Sequence, residues 1–169
     1  MISRVFISSD LDFCFMQETK ISDDSVSCAF SSEWTVPSFW VPALGRSGVV
    51  AILCSESYAS NVSVRQRDVS GRVLSLTLKF GTFKINLVNL YAPTVPSEKK
   101  TFFQVVPSFF FPSTWPLVGG DFNCYDSVFD KFGGAPSLDS VFKSLVVDSG
   151  MHGVSSIPGT NSLLGLMLI

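Results

Sequence analysis

Five side chains in this sequence have the types that line a reactive pocket: Glu18, Asn89, Tyr91, Asp121 and Asn123. Carboxylates accept protons and hydrogen bonds, whereas carboxamides and a phenol can donate to anionic oxygens. Glu18 follows an apolar run at 11–16, Asn89 and Tyr91 end a run that begins at Phe83, and Asp121 and Asn123 follow a run at 116–119. Functional groups favour such positions, because strand ends and loops on a rigid scaffold can aim side chains into one place. Taken singly, each residue also has an ordinary reading. Glu18 reads as a surface loop residue, Asp121 and Asn123 as turn formers after Gly119-Gly120, and Tyr91 as a strand-end cap on a core.

The elements that must position these groups are mostly strands. Leu11 to Met16 is a nearly continuous apolar run, a buried strand that breaks into Gln17-Glu18-Thr19-Lys20. An aromatic stretch with Trp34, Phe39 and Trp40 leads through Gly45-Arg46-Ser47-Gly48 to the β-branched run Val49 to Leu53, a second strand. Leu74, Leu76, Leu78 and Phe80 then alternate with Ser75, Thr77 and Lys79, the pattern of a half-buried strand. Gly81-Thr82 suits a two-residue type II′ turn. The return strand places Phe83, Ile85 and Leu87 inward, with Lys84 and Asn86 opposite, and its inward phase continues to Asn89 and Tyr91. A helix is predicted from a Ser97 N-cap, with Phe102, Phe103 and Val106 on one side and Pro107 as its stop. A strand near 116–119 and an amphipathic helix from Ser137 to Val147, burying Leu138, Val141, Phe142 and Leu145, complete the pattern. Strands joined by helices predict an α/β or α+β layered sandwich.

In this order, Phe15 to Lys20, Gly71 to Leu76, Asn89 to Pro93 and Gly119 to Cys124 resemble the successive blocks of the endonuclease/exonuclease/phosphatase superfamily. The likeness is nearest to LINE-type (non-LTR) retrotransposon endonucleases, whose blocks run Q-E-T, G-x-x-G-V-A-I-L, N-x-Y-A-P and G-G-D-F-N. It covers about residues 5–150, with Val128 to Lys131 where the family has Leu-Asp-Arg. The resemblance implies one domain over 1–169, built as a four-layer β-sandwich of two mixed sheets flanked by helices. It also implies a metal-dependent phosphodiester hydrolase that nicks DNA. A phosphodiester needs its charge neutralised and a water aimed in line with the leaving oxygen, so magnesium (or manganese) is the implied cofactor, with Glu18 as its ligand. Asp121 would orient and deprotonate the water, and Asn123 and Tyr91 would donate to phosphate oxygens. Asn89, counted with the catalytic set, would brace it.

The sequence also departs from the family. Members begin with a strand ending in a metal-facing asparagine and end with strands carrying an aspartate and a Ser-Asp-His. Neither is matched, residues 1–10 correspond to the helix before Q-E-T, the sole histidine His152 reads as a loop residue, and 151–169 reads as a degenerate tail. The expectation is a partial domain lacking its first and last strands, weak or inactive, from a truncated or degenerate retrotransposon reading frame. Its exposed sheet edges would favour self-association. Two other readings stand beside it: a non-catalytic remnant or binding fragment, and a phosphoesterase acting on another ester such as a phosphoinositide. The N-x-Y-A-P and G-G-D-F-N wording favours the retrotransposon branch, with DNA as the ancestral substrate.

Of the 169 residues, 46% are hydrophobic and only 15% charged, against about 25% charged in soluble domains generally, so either much of the chain is buried or buried strands have lost their cover. A net charge of −2 and a pI of about 5.2 exclude a global basic field, and any polyanion must be held locally. Arg65, Arg67 and Arg72, and the pair Lys99-Lys100, come nearest to basic patches, their plainer reading being solvated strand ends and a helix start. Cys14, Cys28, Cys54 and Cys124 have neither C-x-x-C spacing nor a histidine cluster, which argues for free thiols rather than zinc. No apolar run suits a signal peptide or the roughly 20 residues of a membrane span. An intracellular chain, nuclear or cytoplasmic, with no membrane partner is expected.

Overall fold

The computed structural model describes residues 12–18, 37–41, 50–124, 140–148 and 164–168. In one sheet, β1 (Phe13–Met16) and β2 (Ser38–Val41) flank β3 (Val50–Cys54), and both pairings are antiparallel. The second sheet runs in the order β4 (Val62–Arg67), β5 (Val73–Phe80), β6 (Phe83–Tyr91), β7 (Trp115–Asp121) and β8 (Leu164–Leu168). Its β6–β7 pair is parallel and its other pairs antiparallel. The larger sheet is therefore mixed as expected, whereas the smaller one is antiparallel in every described pairing.

A parallel pair needs a crossover, and α1 (Pro96–Val105) supplies it between β6 and β7. This helix does not start from a Ser97 cap. Val95 is its N-cap and Pro96 opens its first turn, where the fixed φ and missing N–H of proline carry no cost. Pro107 halts it as predicted, and the chain tightens into a 3-10 turn at Val106–Phe109.

The larger sheet is covered on both faces. Leu74, Leu76, Leu78, Leu87 and Tyr91 pack toward Val50 and Ile52 of the smaller sheet. Val73, Val88, Leu90 and Val118 pack toward Phe103, Val106 and Phe109, joined by Phe142 and Leu145 of α2 (Ser140–Asp148). Three layers are thus present among the described residues, where the resemblance implies four.

Coverage from both sides corrects the half-buried reading of β5. Ser75 and Thr77 are as buried as the leucines between them, because the helical layer lies over their face. Ser75 Oγ donates to Phe109 O at 3.2 Å and accepts from Asn86 Nδ2 at 2.7 Å. The hairpin tip behaves the opposite way. Phe80 pairs with Phe83 across the Gly81-Thr82 turn, with φ +59 at Gly81. Yet residues 79–84 are all exposed, so Phe83, expected inward, lies beyond the covering layers, while Ile85 is half-buried and Leu87 buried.

One further expectation changes. Residues 164–168, read as part of a degenerate tail, pair with β7 from Leu117 opposite Leu168 to Asp121 opposite Leu164. Edge strand β4 shifts register between Val64 and Gln66 and exposes Arg65 and Arg67. A bulge and edge charges discourage strand addition, so these arginines blunt an edge rather than form a patch. Cys14, Cys54 and Cys124 are free thiols, and burial, helped by Asp12, pushes Cys54 up to about 11. Residues 1–10, Cys28, 128–131 and His152 lie outside the described residues. No helix among the described residues is long and apolar enough to cross a membrane.

Gly120 gives the fold its sharpest local demand. Its φ is +140°, and a Cβ there would meet Leu90 O at 1.9 Å, a backbone atom that cannot turn aside. Gly120→Ala is expected to cost about 3 kcal/mol or more, read by urea denaturation. Gly81→Ala, with open space around it, should cost only about 1–2 kcal/mol.

Candidate active site

The site begins beneath its surface. Asn89 on β6 is fully buried, and its Nδ2 donates to Met16 O at 2.9 Å and Ala51 O at 2.8 Å. Its Oδ1 accepts from Gln17 Nε2 at 2.7 Å. One side chain of the larger sheet thereby pins the end of β1 and the start of β3, both in the smaller sheet. Glu18 follows Gln17 directly, in a left-handed conformation with φ 53°. It is exposed, and its Oε1 accepts a hydrogen bond from the Tyr91 hydroxyl.

Tyr91 lies two residues beyond Asn89 on the same face of β6 and is only 8% exposed. The Arg72 guanidinium carbon sits 5.2 Å from the centroid of its ring. Arg72 Nη1 also donates to Tyr91 O at 3.3 Å, while Tyr91 N donates to Arg72 O at 2.8 Å. Burial, then the hydrogen bond and charge of Glu18, and then the charge of Asp121 push the phenol from 10.0 up to about 12, with Arg72 acting in the opposite sense. The group is a hydrogen-bond donor across the ordinary pH range.

The parallel register places Asp121 beside Tyr91. Ala92 N donates to Asp121 O at 2.8 Å, which extends the pairing past the strand end. The chain then turns: Asn123 has φ 48°, its backbone N–H donates to Asp121 Oδ1 at 2.9 Å, and its Nδ2 donates to Ala92 O at 2.7 Å. Lys99 of α1, nearly buried, donates its ammonium to Asn123 O.

Glu18, Tyr91, Asp121 and Asn123 therefore meet at one edge of the sandwich, where β1, β6 and β7 end. Asn89 lies under them with its hydrogen bonds directed into the smaller sheet. Glu18 and Asn123 are two of the three non-glycine residues with positive φ among the described residues. Such conformations persist where the surroundings over-determine them. Sequence reasoning missed the parts played by Arg72 and Lys99, read there as solvated. Gln17 was visible within Q-E-T but had no role. Among the described residues no group of three or more His, Cys, Asp or Glu gathers as a metal cage.

Several solved structures have a similar backbone. An AP endonuclease from Leishmania major superposes with a TM-score of 0.77 at 14% identity, covering 99% of this chain and 72% of its own. An AP endonuclease from Archaeoglobus fulgidus gives 0.75 at 12% identity, covering 99% and 80%. A 3′ phosphatase from Neisseria, bound to a product DNA hairpin, gives 0.74 at 15% identity, covering 99% and 79%. The fold is that of the endonuclease/exonuclease/phosphatase superfamily.

No family model matches the sequence. A stretch of 112 residues, 64% of the chain, is 30% identical to an uncharacterized 149 kDa protein of transposon TX1 from Xenopus laevis, and the match spans 8% of that protein. This similarity agrees with the likeness of the Q-E-T, N-x-Y-A-P and G-G-D-F-N blocks to retrotransposon endonucleases. The superfamily fold accounts for the meeting of blocks about seventy to a hundred residues apart at one edge.

Two measurements probe this geometry. Asn89→Leu keeps the branched shape but strips two buried carbonyls of their donor, and is expected to cost about 2–4 kcal/mol in urea denaturation. For Tyr91, the folded pKa lies above the unfolded one. The stabilisation is therefore complete below pH 10 and is lost as pH rises toward about 12. Spectrophotometric titration, taken as the difference from Tyr91→Phe, should place the ionisation of this phenol at about 12; a transition near its ordinary value would contradict the geometry.

Proposed function

We propose that the chain is a metal-dependent phosphodiester hydrolase of the retrotransposon endonuclease type, which nicks DNA. The observation that carries this reading is the meeting of Glu18, Tyr91, Asp121 and Asn123 at one strand-end edge, with Tyr91 hydrogen-bonded to Glu18 and registered beside Asp121. Similarity to a transposon protein, and to folds whose names include AP endonucleases and a DNA-bound phosphatase, supports DNA over a phosphoinositide. Such a substrate would put its work in the nucleus or cytoplasm.

The donor chemistry fits magnesium or manganese. Magnesium keeps several waters and takes one or two carboxylates plus substrate phosphate, so a dedicated cage is not required. Glu18, an exposed carboxylate at the rim, would hold it. When bound, the ion would neutralise charge on the phosphate.

The chain's own groups supply the rest. Asp121, fixed by the Asn123 amide, is aimed as the base that takes a proton from the attacking water. The Asn123 carboxamide has two N–H groups, one of them on Ala92 O, and the second can meet a phosphoryl oxygen. The neutral Tyr91 phenol donates to Glu18 in the free protein and to a phosphate oxygen in the complex. Asn89 holds the Glu18 turn against the sheet that bears the other three groups.

Nicking of supercoiled plasmid in magnesium tests the reading. Asp121→Asn keeps the size of the side chain and is expected to lower the rate by about 10²–10⁴-fold, with EDTA abolishing it. Equal nicking by both proteins would leave only the non-catalytic reading.

A further inference from the structure

At the end of the larger sheet away from the candidate active site, the β5–β6 hairpin outruns its neighbours. Pairing with β4 begins at Leu78, opposite Val62, and pairing with β7 begins at Ile85, beside Trp115. Residues 79–84 therefore project past both as a two-stranded ribbon, and all of them are exposed. Alternation sorts the side chains of the ribbon by face. Phe80 and Phe83, cross-strand partners, lie on the face that carries Leu78 and Ile85, and Trp115, in register with Ile85, stands on that face one strand over. The three are 56%, 60% and 64% exposed. Lys79 and Lys84, also cross-strand partners, occupy the opposite face.

We propose that this tip is a docking site for a protein partner, an acidic amphipathic segment whose apolar side chains cover Phe80, Phe83 and Trp115 while its carboxylates reach Lys79 and Lys84. The aromatic face is in place before any partner arrives. Phe80 rests on Tyr58 with ring centroids 6.4 Å apart, so part of the surface is already ordered, and clustered aromatic residues are the kind that carry binding energy. The lysines supply the charge argument. Like charges directly opposite each other weaken a strand pair, and neither lysine has an ion pair among the described residues. A carboxylate placed between them turns that repulsion into attraction, and the long lysine stems can carry both ammoniums round the open end of the ribbon. A nucleic-acid strand suits the tip less well. Stacked on three rings it would bring a phosphate with each base, more charge than two lysines at one rim answer in a chain of net charge −2. Strand addition is hindered on the β5 side, where Asn61 Nδ2 donates to Lys79 O at 3.0 Å, so recognition falls to side chains. Phe83 and Tyr91 are the two ends of β6, roughly 26 Å apart at about 3.3 Å per residue. A partner seated on the tip thus leaves the candidate active site open.

Fluorescence anisotropy with two labelled synthetic peptides of equal length tests the assignment. One alternates leucine and phenylalanine with glutamate, and the other has lysine at every glutamate position. The unaltered chain should bind the acidic peptide at least about tenfold more tightly than the basic one. Phe83→Ser combined with Trp115→Ser should weaken that binding at least about tenfold. Lys79→Gln combined with Lys84→Gln should weaken it about fivefold and flatten its dependence on salt. All of these positions are exposed, so urea midpoints should match the unaltered chain, and plasmid nicking, whatever its rate, should be the same in both variants. Equal affinity for the two peptides, binding of neither, or affinity unchanged in either variant would overturn the docking site. So would a single-stranded oligonucleotide, or a second copy of the chain in sedimentation velocity, whose binding is lost with Phe83→Ser and Trp115→Ser while that of the acidic peptide is not.

Discussion

Asn89 makes three hydrogen bonds from one buried carboxamide, and through them the two sheets are held at a fixed offset where the site lies. Apolar packing alone could not do this. The leucines and isoleucine between the sheets attract without direction, so they set the spacing of the layers but not the position of the chain end after β1. A carboxamide facing two carbonyls and one amide admits a single geometry, and in a dry interface every one of those groups is costly to leave unpaired. The Glu18 turn inherits its place from that geometry. Its left-handed backbone is tolerated because Gln17 on one side and Tyr91 on the other leave it no better alternative.

The second constraint is the parallel pairing of β6 and β7. A parallel register sets the C-terminal ends of two strands side by side, and here the paired ends are Tyr91 and Asp121. The close approach this requires falls on Gly120, whose missing Cβ leaves room for Leu90 O. The crossover that makes the pairing possible brings α1 back over the sheet, and Lys99 on that helix reaches the carbonyl of Asn123. The same segment thus covers the apolar face through Phe103 and Val106 and braces the turn that follows β7.

How far the sequence could be read follows from which interactions are local. The inward phase of β6, the Gly81-Thr82 turn and the stop at Pro107 are set by neighbours along the chain, and the structure has all three. Glu18, Tyr91, Asp121 and Asn123 were legible as a set through their motifs, although their separate residue types looked ordinary. What failed depended on distant coverage. Ser75 and Thr77 read as solvent-facing because nothing near them says that Phe109 will lie above. Phe83 read as core because alternation cannot tell where a hairpin outruns its cover. The strand at 164–168 was missed since edge pairing uses backbone groups that every residue carries, and a glycine within a short leucine run gives no clear period. Arg72 and Lys99 looked like solvated cations because their partners, a ring and a carbonyl, lie 19 and 24 residues away.

Those two cations also bear on how an acidic chain could hold a phosphodiester. Among the described residues, Arg72 and Lys99 are basic groups in contact with the site, and the protein has already engaged both, one on Tyr91 and one on Asn123. The rim itself carries two carboxylates, Glu18 and Asp121, whose charges help raise the Tyr91 phenol. A phosphate approaching that edge by itself meets like charge from both, and a net charge of −2 offers no distant attraction to offset it. The field that keeps Tyr91 protonated is therefore the field that repels the substrate. A divalent cation at Glu18 resolves the conflict, since it reverses the local sign for the phosphate while Asp121 keeps its negative charge for the water. On the proposed reading the metal is thus required for binding as well as for chemistry, and the neutral phenol contributes a hydrogen bond without adding a third negative group to the edge.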